Sequence, residues 1–92
     1  MNQCVRINCL IEKDKEVLSR TFQEEARKLR IEGILKLEPE NMIAMVACGD
    51  KEVVQKFLDV LHKYHAEQKL LNLEIEPFLK DKDYRGVFRV IE

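Results

Sequence analysis

From Gln3 to Ile11 the apolar residues Val5, Ile7, Cys9 and Ile11 alternate with polar Arg6 and Asn8. A period of two marks a strand with one buried face. The run Glu12-Lys13-Asp14-Lys15-Glu16 is too polar to continue that strand. Beyond it Leu18, Phe22, Ala26 and Leu29 recur at helical spacing on one stripe, which predicts a first helix ending near Arg30. Asp14 or Ser19 could cap this helix, and Thr21 with Glu24 three residues on imitates a capping box, so the pattern leaves its start open by several residues. Ile31 to Leu37 and Met42 to Cys48 are short apolar runs separated by Glu38-Pro39-Glu40-Asn41, whose Pro and Asn supply turn chemistry, and they read as a hairpin.

Gly49-Asp50 is expected to end the third strand and to offer a cap for a second helix, along which Val53, Val54, Phe57, Leu58, Leu61 and Tyr64 share one side. Leu71, Leu73 and Ile75 alternate with Asn72, Glu74 and Glu76 in a fourth strand. After the charged stretch Lys80 to Arg85, a short strand from Gly86 to Ile91 closes the chain. The expected order is β-α-β-β-α-β plus a carboxy-terminal strand. This is the α+β, ferredoxin-like split βαβ arrangement, with two helices on one face of a mostly antiparallel sheet. That fold hosts many unrelated functions and decides none of them.

Ninety-two residues with 46% apolar content suit one modest core, so residues 1–92 are read as a single domain. Charged residues make up 36% of the chain but nearly cancel to a net charge of -1, which sets up no broad field for polyanions. No apolar run is long enough to cross a bilayer, and Met1-Asn2-Gln3-Cys4 lacks the basic and apolar regions of an export signal. Three cysteines, Cys4, Cys9 and Cys48, are few and odd in number. They are read as reduced, buried thiols, and the compartment as cytoplasmic.

Several pieces taken in order resemble the acylphosphatase family, small proteins that hydrolyse carboxyl-phosphate bonds without a metal or cofactor. They are Val5-Arg6, then Glu24-Glu25-Ala26-Arg27-Lys28-Leu29, then Gly33, Gly49 and Phe88-Arg89-Val90, and the likeness runs over nearly the whole chain. The resemblance implies a phosphate cradle between the first strand and the first helix, built on a loop of the form G-x-V-Q-G-V-x-F-R. It also implies an asparagine after the second strand that orients the attacking water. Glycines let successive backbone N–H groups curl into an anion nest, and the helix N-terminus adds its partial positive charge.

This chain departs from that pattern at each of those points. The aligned loop Glu12, Lys13, Asp14, Lys15, Glu16, Val17 and Leu18 has no glycine and sets three carboxylates against two lysines. Ungapped counting puts Ser19 where the family has its phosphate-binding arginine, and Leu37 where it has its asparagine. An alkyl side chain can neither donate to water nor accept from it. Arg20 is the neighbour of Ser19 and could take the arginine's role only through a local insertion, because one residue on a helix is a rotation of about 100°. Asn41 lies in the turn and is read as a turn former. The expectation is an acylphosphatase-like protein without efficient hydrolysis, acting through binding or protein contacts. The alternative is a genuine acylphosphatase that uses Arg20 in a rearranged site.

Other candidates carry less. His62 and His65 are three apart on the second helix, but no third ligand is evident and a solvated helix end is the reading; no metal or cofactor is expected. Cys4 and Cys9 point to opposite faces of one strand and cannot chelate together. Strands one and three hold no aromatic residue on which a base could stack, which argues against nucleic acid as a partner. Lys80-Asp81-Lys82-Asp83 reads as a solvated loop. The hairpin carries Ile34, Leu35, Leu37, Met42, Ile43, Met45 and Val46 on both faces while helices can cover only one. Loops or the last strand are expected to shield the other face, failing which it is a surface for a protein partner or for self-association.

Overall fold

A computed structural model describes residues 2–78 and 86–91. In chain order the elements are β1 (Asn2–Ile11), α1 (Lys15–Lys28), β2 (Glu32–Glu38), β3 (Met42–Asp50), α2 (Lys51–Ala66), β4 (Leu70–Pro77) and β5 (Phe88–Ile91). They build one five-stranded sheet in the order β4-β1-β3-β2-β5, every neighbour pair antiparallel except β2 with β5. The βαββαβ order with an additional strand is the one the periodicity predicts. The charged loop Lys80-Asp81-Lys82-Asp83 falls outside the described residues.

Both helices lie on one face because only their stripes and the odd-numbered positions of β1 and β3 are apolar together. Leu18, Phe22 and Ala26 of α1 and Val54, Phe57 and Leu61 of α2 meet Val5, Ile7, Cys9, Ile43, Met45 and Ala47 in a single core. Phe22 packs edge-on against Tyr64, and Phe57 edge-on against Phe88, which locks α1 to α2 and α2 to the edge strand. Both helices end the same way. Ile31 N–H donates to the Ala26 carbonyl and Arg30 N–H to that of Arg27; Lys69 and Gln68 repeat the pattern on Tyr64 and His65. These paired bonds satisfy the last carbonyls and require a left-handed residue, here Arg30 (φ 58) and Gln68 (φ 64).

Several local expectations are corrected. The helix α1 starts at Lys15 with Asp14 before it in the left-handed conformation, and the Asp14 side chain makes no capping bond. Ser19 and Thr21 sit inside the helix, their hydroxyls donating to the carbonyls of Glu16 and Val17. Gly49 and Asp50 end β3 as expected, although both still pair with β1, Gly49 with Gln3 and Asp50 with Asn2, so the strand runs two residues beyond Cys48. Asp50 precedes α2 without a side-chain cap bond. In β4 the alternation fails at one point: Leu10 pairs with Asn72 but Ile11 with Leu70, so Leu71 is an extra residue in a bulge. Leu70 takes the core position and Leu71 is left half exposed.

The cysteines are corrected as well. Cys4 and Cys48 are directly opposed on β1 and β3 and joined in a disulfide, leaving Cys9 as the free buried thiol. The pair lies on the face of the sheet away from the helices, opposite to Cys9. Disulfides persist where the surroundings are oxidising, so the cysteine argument for a reducing, cytoplasmic setting falls. Among the described residues no helix is long and apolar enough to cross a membrane.

Candidate functional site

The turn from β1 into α1 and the end of β2 meet at one end of the sheet, where the sequence places its candidate residues. Ser19, Arg20 and Leu37 all line one cleft of about 220 Å³, together with Glu16, Gln23 and Val90. Ser19 and Arg20 come from the first turns of α1, and Leu37 from β2 beside it. The three positions singled out in the sequence are thus brought together.

Ser19 is 5% exposed and its hydroxyl proton is committed to the Glu16 carbonyl at 2.8 Å. Leu37 is half-buried and packs on the core. Arg20 is exposed on the rim, and Glu16 brings a carboxylate to the same cleft. The Gln23 amide, the remaining polar donor in the lining, is turned onto the Phe88 carbonyl at 3.2 Å and ties α1 to β5.

The connecting loop is held by other bonds. Leu18 N–H donates to the Asp14 carbonyl, closing the first helical turn, and Lys15 Nζ donates to the Glu38 carbonyl at 2.6 Å. Lys15 therefore spans the mouth between loop and hairpin instead of standing free. Ile11 N–H donates to the Asn41 carbonyl, and Asn41 (φ 65) follows Glu40 (φ 62) in the turn, which is the turn-forming role expected of it. Glu12, Lys13, Asp14, Val17 and Leu18 face away, into a second cleft of about 350 Å³ shared with Thr21, Tyr64, Gln68 and Lys69. There Lys69 sits over the Tyr64 ring and pairs with Glu67.

Gln23 and Val90 are the lining residues that the sequence reading passed over. Gln23 is four residues beyond Ser19 on the same helical face, a spacing that points to it. Val90 has no local signal, because it arrives through the parallel pairing of β5 with β2. His62 and His65 are both exposed on α2. Among the described residues no group of three or more His, Cys, Asp or Glu side chains is arranged to hold a metal ion.

No protein-family model and no curated protein matches the sequence. Solved structures match the fold closely. An acylphosphatase from Coxiella burnetii superposes with a TM-score of 0.82 at 18% identity, over 98% of this chain and 93% of that one. An acylphosphatase from Bacillus subtilis gives 0.82 at 16% identity, with both chains covered completely (100% and 100%). Full-length HypF in a phosphate- and nucleotide-bound form gives 0.79 at 13% identity, over 100% of this chain and 12% of its own, so the same unit occurs inside a much larger protein. At these identities the likeness is one of fold, and by fold this chain is an acylphosphatase-like domain.

Proposed function

We propose that this acylphosphatase-like chain has no efficient acyl-phosphate hydrolase activity and works through contacts with other macromolecules. The observation that carries this reading is the Ser19 hydroxyl, buried and bonded back to the Glu16 carbonyl at the position aligned with the family's phosphate-binding arginine. Across the cleft Leu37 supplies no group to orient a water. Transition-state stabilisation rests on donors already aimed at developing charge, and loss of one such donor costs about 10²–10³ in rate. Here the cradle, the cation and the water-orienting amide are altered together, so the losses fall on one transition state.

A second reading is carried by Arg20, which lines the same cleft and is exposed. If its guanidinium turns inward, phosphate could bind beside Ser19. The two readings separate in one assay with a simple acyl phosphate as substrate. Turnover no faster than solvent background supports the contact role. Hydrolysis that inorganic phosphate inhibits, and that disappears in Arg20→Ala, establishes an enzyme.

A further inference from the structure

We propose that Asn72 closes the outer edge of β4: its carboxamide, together with the bulge at Leu71 and with Pro77, keeps a further strand from adding to the sheet there. The inference goes beyond the contact role above, because it excludes one mode of contact.

β4 and β5 are the terminal strands of the sheet, so each has one flank without a neighbouring strand. Such a flank offers alternate N–H and C=O groups as a template for another chain. Which residues of β4 point outward follows from the register. In an antiparallel ladder a residue turns its N–H and C=O to the same side, and the side alternates along the strand. Ile11 N–H donates on the β3 side, to the Asn41 carbonyl, whereas the Cys4 carbonyl accepts from Phe78 N–H at 3.1 Å, on the β4 side. The odd-numbered residues of β1 therefore face β3 and the even-numbered ones face β4. Arg6, Asn8 and Leu10 are paired with Glu76, Glu74 and Asn72, so those three residues of β4 bond into the ladder. Leu73, Ile75 and Pro77 turn their backbones outward.

That outward series is blocked at both ends. Leu73 N–H donates to Asn72 Oδ1 at 2.9 Å, so a side chain of the same strand takes the donor that a new strand would use. Pro77 has no N–H to give. Before them Leu71 is the extra residue where the register with β1 shifts, and a bulge breaks the regular spacing that a new strand must match. Among the described residues of β4, Ile75 is left as the outward donor with no side chain bonded to it, and a ladder needs donors at successive alternate positions. The other terminal strand repeats the arrangement. The Val87 carbonyl accepts from Gly33 N–H on the β2 side, so Phe88 turns outward, and its carbonyl accepts from the Gln23 amide of α1.

The test begins with the wild type. Amide exchange followed by NMR and corrected for intrinsic rates should find Leu73 roughly fivefold slower than Ile75 or more, as a hydrogen bond of ordinary net strength requires. Asn72→Ala should bring Leu73 to the rate of Ile75, while Asn72→Asp, whose carboxylate accepts the same bond, should leave it slow. The double variant Asn72→Ala/Pro77→Thr, checked for native circular dichroism, gives outward donors at all three positions. Sedimentation is measured at about 100 μM, in about 1 M sodium chloride, where repulsion between the exposed Glu74 and Glu76 of facing copies is screened beyond about 3 Å. The double variant is expected to form larger species than the wild type, and Asn72→Asp to match the wild type. Leu73 exchanging as fast as Ile75 in the wild type overturns the proposal, as does a double variant that keeps the wild type's size or an Asn72→Asp chain that associates as the double variant does. None of these readouts involves acyl-phosphate turnover, so failure here leaves the reading of the cleft where it stands.

Discussion

Cys4 on β1 and Cys48 on β3 face each other across the sheet, their Cα atoms 4.1 Å apart, and a disulfide joins them over a sequence separation of 44. Closing a loop of that length removes entropy from the unfolded chain worth about 3–4 kcal/mol in the chain-entropy treatment. For a domain of this size a reductant should therefore lower Tm by roughly 15 °C or more. Thiol titration of unfolded, unreduced protein should find one reactive group and, after reduction, all three cysteines. An unchanged Tm together with three thiols before reduction would remove the bond from the account.

Cys9 lies on the opposite face, fully buried, and burial pushes its thiol from 9.0 up to about 12. Below pH 9 the thiol is protonated in both folded and unfolded chains and costs nothing. Between pH 9.0 and about 12 the unfolded chain loses this proton while the folded one keeps it, so stability falls as pH rises. The slope from this group approaches about 1.4 kcal/mol per pH unit. Denaturant titrations across that range should show the slope in the wild type and lose it in Cys9→Ala.

Arg30 and Gln68 hold left-handed conformations at the two helix ends, where residues with a Cβ are strained. Arg30→Gly and Gln68→Gly should each stabilise the protein by about 0.5–1 kcal/mol, since relief of that strain exceeds the added freedom of the unfolded glycine. Urea midpoints that fall would show that the native side chains supply more than the turn does.

Gly33 pairs with Ala47 at φ 151, and a Cβ placed there would fall on the Val46 carbonyl oxygen. The clash is with backbone inside the sheet, which has no room to yield. Gly33→Ala should destabilise by more than about 3 kcal/mol or prevent folding. A variant within 1 kcal/mol of the wild type, an estimate set by ordinary surface substitutions, would contradict this geometry.

The cleft offers a gain-of-function test. Ser19→Arg with Leu37→Asn returns the two aligned side chains but leaves the acidic loop and the Lys15 tether to Glu38 in place. Acyl-phosphate turnover is expected to remain within about tenfold of the wild type, because preorganised backbone donors contribute as much as the side chains do. A rise of about a hundredfold would mean that the loop backbone already forms a cradle.

The strand and helix periods of Val5 to Ile11, Leu18 to Leu29 and Val53 to Tyr64 were legible because burial on one face writes itself into local spacing. The details that failed were those where a distant strand decides. Leu71 satisfied the alternation and Leu70 did not, yet the pairing of Leu70 with Ile11 put Leu70 in the core. The strand stops at Asp50 as the sequence suggests, but that it keeps its pairing through Gly49 and Asp50 was set by Gln3 and Asn2 of β1. Cys4 and Cys48 showed no spacing signal because their proximity belongs to the register of β1 on β3.

The chain by itself determined the element order and the buried stripes, since each is a property of neighbours along the backbone. Tertiary structure alone decided which cysteines join, that Arg20 and Leu37 share a cleft, and that Leu70 and not Leu71 enters the core. Those depend on strand order and register, which come from contacts between residues far apart in sequence and leave no local period to read.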